Sequence, residues 1–561
     1  MIQEQIKKRF DTIYGADNYD VSLIAEIVEE INQVKKLRKG DHIKWSEKDI
    51  ILITYGDSIV EGVNRPLKTL ESFLLEYLNH AISHVHILPF FPYSSDDGFS
   101  VIDYRKVNPE LGSWEDVESI GKKYRLMADL VINHVSQYST WFQNYLKGLE
   151  PEDGYFIETD PSADLSKVVR PRSLPLLTPV ETAKGEKHVW TTFSADQIDL
   201  NFANPLLLTE MLKIFLFYFS RGIQIIRLDA IAFLWKEPGT SCLHLPQTHE
   251  VVKLMRDIVD YLDPGIILIT ETNVPNKENL SYFGQGDEAH MVYQFSLPPL
   301  LLHALHTSDS TYLTRWANSL SDIPADCTFF NFTASHDGIG VRPLEGLLPA
   351  HDIKELAEAM KEYGGRISTR RNSDGSDSPY EMNITYLDAL KYTRAGKDDL
   401  QTERFICSQT IMMSMKGIPA FYIHSLLGTH NYTEGIEKTG MARTINRRKW
   451  KAVELYPLLR NETQHAFILK ELVRRMKIRK TIKAFHPDTD QQVIDAGREF
   501  FILMRGRNQR MMVIANLTDE KKQFRNSSLA NRLEGSIDQL SGKKINSGEP
   551  ELDPYQVMWI L

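Results

Sequence analysis

The stretch Gly222 to Ala230 reads GIQIIRLDA, and its later counterpart Ile266 to Asn273 reads IILITETN. Each is a short run of apolar, largely β-branched residues ending in a carboxylate, the pattern of a buried parallel strand with a reactive tip. Side chains alternate along a strand, so Arg227 and Asp229, two apart, point the same way. A guanidinium beside a carboxylate favours its ionised form, as a nucleophile needs. In the second run Glu271 takes the equivalent strand-end place, with Asn273 two residues on. If the two strands are neighbours in one barrel, their carboxyls lie roughly 5 Å apart, the spacing of a glycosidase that retains configuration. Taken singly, each run fits equally well a core strand whose terminal acid forms a surface ion pair.

Outward from these runs the same alternation continues. Apolar strand candidates stand at Ile50 to Asp57, Val85 to Phe90, Arg125 to His134, Met291 to Phe295, Thr328 to Asp337 and Gly417 to Ile423, with helical patterns between most of them. With the first two runs that makes eight, which predicts an α/β fold, a (β/α)8 TIM barrel over residues 48–484. Two long inserts interrupt it, at about 135–201 after the third strand and at about 338–399 after the seventh. The first carries RPRSLPLLTP and the second the polar tract RRNSDGSDSP. Residues 1–47 show apolar positions at helical spacing (Leu23, Ile24, Ile27, Val28, Ile31) and predict a helical extension. From Phe485 the pattern changes to short alternating runs, VIDAG, EFFILMRG, RMMVIANLT and VMWIL, which predict a small antiparallel β domain over 485–561.

Composition narrows the function. At 561 residues, with 42% hydrophobic and 25% charged residues, the chain has the make-up of a large globular protein. A net charge of −10 disfavours nucleic acid as partner, and no apolar run is long enough to span a bilayer. The opening MIQEQIKKRFDTIYG lacks a signal-peptide core, and three cysteines (Cys242, Cys327, Cys407) show neither pairing nor ligand spacing. A cytoplasmic protein without a zinc site is expected.

In (β/α)8 barrels catalysis sits at the carboxyl ends of the strands. There this sequence offers Asp96 and Asp97, Asp129, Asn133 and His134, Arg227 and Asp229, Glu271, and His336 with Asp337. One carboxylate can attack an anomeric carbon, a second, protonated, can give its proton to the leaving oxygen, and a third can hold sugar hydroxyls. His134 fits a core histidine as well as a substrate contact, Asp129 fits a structural tie behind the site, and Asp97 fits a loop ion pair. Phe193, Phe233 and Trp235 fit sugar stacking and core packing equally.

The NH of VINHVS, RLDA, a strand-end Glu and SHD, in that order and spacing, resemble the four signature regions of the α-amylase superfamily. HILPF, DGFSVIDY, LGSW, RPR, RLDAIAF, KEPGTSC, FSLPPLLLHAL, SHDGIG and TINRR resemble more narrowly its sucrose phosphorylase branch, over about residues 50–450. The resemblance implies Asp229 as nucleophile, Glu271 as general acid/base and Asp337 as transition-state stabiliser. It implies Asp96, Phe99, His134, Gln197, Arg227, His336 and Arg443 around the glucosyl unit, no metal and no cofactor. Phosphate in place of water needs cationic donors beside three carboxylates. Candidates are Arg170 and Arg172, Arg370 and Arg371, and Arg447 and Arg448.

The branch typically carries a His two residues after the acid/base, and this chain has Asn273 there, in ETNVP. That run, Glu381 of SPYEMN, and the 47-residue extension before the first strand are similar instead to the glucosylglycerate phosphorylases of the branch, which adds Asn273, Glu381 and the neighbouring Tyr380 to the candidate substrate contacts. The resemblance therefore implies phosphorolysis of a small α-glucoside, 2-O-α-D-glucosylglycerate first, with sucrose and then glucosylglycerol as alternatives, and it leaves a homodimer open. Hydrolysis of α-glucans, or a catalytically silent amylase-like role, fits these strings less well.

Overall fold

The computed structural model describes residues 2–38, 44–172, 174–320, 323–371, 377–506 and 510–561. Eight parallel strands close into one barrel: β1 (Ile51–Thr54), β2 (His84–Ile87), β3 (Arg125–Val131), β4 (Ile223–Asp229), β5 (Ile267–Thr270), β6 (Met291–Tyr293), β7 (Thr328–Asn331) and β8 (Ile418–Tyr422). Each of the eight expected runs supplies one strand, and β8 returns to pair with β1. The strands are buried on both faces, which is why their sequences read as nearly continuous apolar runs. The seventh is shorter than expected: it ends at Asn331, and Phe332 to Asp337 form the loop that carries the last acid. Helices such as Pro66–Tyr77, Trp114–Gly121, Pro205–Ser220 and Pro246–Leu262 form the outer layer.

Both inserts rise from carboxyl ends of strands, the edge where chemistry is expected. After β3, strand His134–Ser136 pairs antiparallel with Gln197–Asp199, and a hairpin joins Leu177–Thr182 to Gly185–Trp190. After β7, helix Ala350–Glu362 accompanies a three-stranded sheet of Ile339–Gly340, Asp377–Asn383 and Arg366–Arg371. At the carboxyl end of the chain, four antiparallel strands (Gln491–Ile494, Phe500–Arg505, Met511–Asn516, Val557–Ile560) form the expected β sheet. Alternation divides its strands between two cores: Phe501, Leu503 and Val513 join the main core, while Phe500, Ile502 and Met512 form a second one.

The extension forms two helices, α1 (Ile2–Tyr14) and α2 (Ser22–Leu37), whose buried stripes join the main core. They lie against the two outer helices that precede β4 and β5. Arg9 of α1 forks onto Glu250 (3.1 Å) and Asp257 (2.8 Å), and Glu26 of α2 pairs with Lys213 at 2.8 Å. Arg38, just past α2, donates to the carbonyl of Ile223, where β4 begins. The extension thus braces β4, the strand that ends in Asp229. Phe10 is fully buried between the rings of Tyr14 and Tyr19. Phe10→Ala is expected to cost about 3–5 kcal/mol, read as a lower urea midpoint with unchanged activity in the folded baseline; an unchanged midpoint would mean that α1 contributes no stability.

Among the described residues no helix is long and apolar enough to cross a membrane. All three cysteines are free and buried.

Candidate active site

A cleft of about 720 Å³, counting its open mouth, sits over the carboxyl ends of the strands. Register explains how the acids reach it. Arg227 of β4 pairs with Asp129 of β3 on one side and Ile269 of β5 on the other. The ladder continues one step past β5, where the Glu271 N–H donates to Leu228 O at 3.1 Å. Glu271 is therefore level with the tip of β4, where Asp229 ends the strand. Ala230 then turns with φ +50°, a left-handed conformation that aims its N–H at Glu271 Oε2, 3.0 Å away.

A single guanidinium organises these acids. Arg227 Nη1 donates to Asp229 Oδ1 at 2.7 Å and to Asp129 Oδ1, and its Nη2 lies 3.7 Å from Glu271 Oε2. Asp129 also takes His86 at 2.7 Å and is fully buried. Burial alone would raise its pKa, but His86 and Arg227 hold it down at about 2. It is the structural tie that the sequence suggested, and it fixes Arg227 from behind.

The electrostatics depart from the sequence expectation in one respect. Arg227 does pull Asp229 towards ionisation, yet burial, with Glu271, Asp129 and Asp337 nearby, pushes Asp229 well above the ordinary carboxyl range. Burial and Asp337 push Glu271 the same way, against Arg227. Burial thus biases both acids towards their protonated forms, and the neighbouring carboxylates oppose ionisation further. Arg227 sits 2.7 Å from Asp229 but 3.7 Å from Glu271, so its charge favours the ionised form of Asp229 more than that of Glu271. Asp337 is different: Arg443 at 2.7 Å, with Arg447, holds it well below the usual range despite its burial.

Asp96, Phe99, His134, Gln197, Arg227, His336, Arg443, Arg172, Asn273 and Tyr380 all line the cleft with the three carboxylates. Phe99 stacks flat on His336, centroids 4.7 Å apart, and burial holds that imidazole neutral, down at about 3. Asp96 lies between Arg447 (3.2 Å) and Arg172 (3.4 Å). Asn273 is held by a close approach: a side chain at Gly340 would put a Cβ 2.6 Å from Asn273 Oδ1.

Two proposed contacts fall elsewhere. Arg170 is exposed and turns back to donate to the Leu174 carbonyl, leaving Arg172 as the cleft's cation from this loop. Glu381 is buried behind the wall, forked onto Arg443 at 2.9 and 3.1 Å; it orients Arg443 rather than facing the cavity. Of the other basic candidates, Arg370 pairs with Glu345 and Arg448 lies over the Trp450 ring, while Arg447 bridges Asp96 and Asp97. Asp97 is thus the loop ion pair that was anticipated. The side chain of Arg371 and residues 372–376 lie outside the described residues. Phe193 and Phe233 line the cleft, whereas Trp235 packs on Tyr14 of α1.

One residue escaped the sequence reading: Lys236, whose side chain is 2% exposed and pairs with Asp199 at 2.6 Å. A lysine inside the apolar run IAFLWK was the available signal. Among the described residues, one trio has cation-binding spacing, His351, Asp352 and Glu355; none of them lines the cleft, and Arg394 already holds Glu355 at 3.0 Å.

An eight-stranded parallel barrel with this ring of strand-end acids is the architecture of the α-amylase superfamily, whose catalytic-domain model matches residues 73–338. The chain is 44% identical, over the whole of both chains, to a glucosylglycerate phosphorylase of Escherichia coli. It is 51% identical to one of Spirochaeta thermophila, over 82% of this chain and 78% of that protein. A crystal structure of sucrose 6F-phosphate phosphorylase from Thermoanaerobacter thermosaccharolyticum superposes with a TM-score of 0.75 at 25% identity, over 91% of this chain and 99% of that one. The chain belongs to the glucosylglycerate phosphorylase family, within the sucrose phosphorylase branch of the superfamily.

Proposed function

We propose that this enzyme splits 2-O-α-D-glucosylglycerate with phosphate, reversibly, into α-D-glucose 1-phosphate and D-glycerate. The observation that carries the substrate is the 44% identity over the full length of a glucosylglycerate phosphorylase; the cleft geometry supports the chemistry. Asp229 attacks the anomeric carbon as the C1–O bond to glycerate breaks, and the departing oxygen takes the proton of Glu271. The positive charge that develops on the sugar ring is met by Asp337, held ionised by Arg443. A phosphate oxygen then attacks the same carbon, Asp229 leaves, and a proton from phosphate returns to Glu271. Two inversions give net retention.

Glycerate and phosphate are both anions, and they must enter beside Asp229, Glu271 and Asp337. Arg172 supports that passage. Its side chain is 31% exposed at the cleft and lies 3.4 Å from Asp96, so it can turn to an incoming anion without losing a tight buried pair. Arg172→Ala is expected to raise KM for phosphate, and for glycerate in the reverse direction, about tenfold or more. Hydrolysis of α-glucosyl fluoride should change little, and equal losses for charged and neutral acceptors would contradict the role. A cytoplasmic setting is part of the reading, supported by three free buried cysteines.

The deciding experiment runs synthesis from α-D-glucose 1-phosphate against D-glycerate, glycerol and fructose. Glycerate should be used best by a wide margin. Preference for fructose would make the enzyme a sucrose phosphorylase, and glucose release without phosphate or acceptor would make it a hydrolase.

A further inference from the structure

Asn133, His134, Asp199 and Lys236 form a chain of groups that runs from deep inside the protein to the cleft wall. Lys236 Nζ donates to Asp199 Oδ2 at 2.6 Å, to Asn133 Oδ1 at 2.6 Å and to the carbonyl of Phe233. These partners come from three places: the first insert, the tip of β3 and the segment after β4. An ammonium has three N–H donors and no acceptor, so all three are spent. Its partner on Asn133 must be the amide oxygen. The amide nitrogen of Asn133 therefore faces His134 Nδ1, 3.3 Å away, and donates to it. On the other side of the ring, His134 Nε2 lies 2.9 Å from the carbonyl of Phe99, which can only accept; the Gln197 amide nitrogen, 3.2 Å from Nε2, gives an N–H to that same carbonyl at 3.1 Å.

We propose that Lys236 is a positioning residue which, through Asn133, locks His134 as the neutral imidazole with its single proton on Nε2. An imidazolium would need to donate from Nδ1 as well, straight into the Asn133 NH2 group, and the Asn133 amide cannot flip while Lys236 holds its oxygen. The groups facing His134 are Asp199 and Gln197 of the first insert, Lys236 after β4, Asp96 and the Phe99 carbonyl after β2, and the Phe193 ring at 5.2 Å. Asp199 and Asp96 would draw a second proton onto the ring; Lys236 and the burial of His134 oppose it. The advantage of a neutral ring follows from the chemistry of the cleft. His134 lines the pocket in which, on the proposed function, positive charge grows on the glucosyl ring, and a fixed imidazolium there would oppose it. Lys236 supplies the lock without adding net charge, because Asp199 neutralises it.

The inference rests on the proposed function only for its catalytic consequence; the tautomer itself can be measured without turnover. In protein labelled with 15N-histidine, with His134 assigned by loss of its signals in His134→Gln, the unsubstituted enzyme should show Nδ1 bare and Nε2 protonated across pH 5–9. Lys236→Met should let His134 titrate within that range. Its kcat/KM should fall about tenfold, its acid limb should move up by about one pH unit, and both effects should vanish in the His134→Gln background. If Lys236→Met does not fold, Asn133→Asp serves: its carboxylate accepts from Lys236 and from the ring alike, so Nδ1 should acquire a proton and the acid limb should rise. Nδ1 protonated in the unsubstituted enzyme, or losses that simply add in the double variant, would overturn the proposal. Absence of phosphate-dependent turnover in the unsubstituted enzyme would instead sink the proposed function and leave the tautomer result standing.

Discussion

Asp229→Asn is expected to lower turnover about 10⁴-fold or more while the protein stays folded and its melting temperature holds or rises. The loss follows from the reaction: an amide cannot form the glucosyl ester, and removing a covalent nucleophile costs at least about 5 kcal/mol of transition-state stabilisation at about 1.4 kcal/mol per factor of ten. The stability half follows from the surroundings. Asp229 is buried beside Glu271 and Asp337, and each of the three opposes ionisation of its neighbours. Asn removes one member of that repulsive group. Arg227 keeps its buried bond to Asp129, which is the contact that anchors it. Circular dichroism and a thermal melt report the fold, and the phosphorolysis assay reports the loss. A folded variant that keeps a tenth of the activity would remove Asp229 from its proposed role.

Glu271→Gln separates the acid from the nucleophile. Phosphorolysis of glucosylglycerate should fall about 10²- to 10⁴-fold, because the departing glycerate alkoxide no longer receives a proton. α-Glucosyl fluoride needs no such proton, so its conversion to glucose 1-phosphate should survive, and phosphate, already an anion, attacks without a base. The pH profile supplies the sign. Burial raises Glu271, so its proton persists above the ordinary carboxyl range and activity falls only as pH climbs through that raised value. The alkaline limb should therefore appear when the unsubstituted enzyme is assayed with glucosylglycerate and be absent when it is assayed with the fluoride. Asp229→Asn must fail on both donors. If Glu271→Gln fails equally on both, the division of labour between the two acids is wrong.

How much of this was legible beforehand differs from residue to residue. The eight strands were legible because a strand buried on both faces has to be apolar nearly throughout, and a strand-end carboxylate after such a run stands out. The inserts were visible as breaks in the alternation; Asp129 was suggested as a tie, and its place inside β3, bonded to His86 and Arg227, came from the structure. Arg170 and Glu381 were misassigned for a common reason. Spacing along a loop says that a cation or an acid is near the cleft, but the direction of its side chain depends on which partner it meets: a carbonyl at Leu174 in one case, the fork of Arg443 in the other.

By itself the sequence determined the period of the elements, and with it the barrel, the place of Asp229 and Glu271 at the ends of neighbouring strands, and the family; that His336 and Asp337 stand on a loop beyond the seventh strand, which ends at Asn331, it did not. Local pattern suffices for these, because strand burial and chain order are set residue by residue. Only the tertiary structure decided that Asp229 and Glu271 meet on one Arg227, that this guanidinium lies nearer Asp229 than Glu271, and that Lys236 reaches Asn133 across 103 positions of sequence. Proton positions and amide orientations are set by the sum of neighbours in a dry interior, and those neighbours come from strands and loops that only folding brings within hydrogen-bond range.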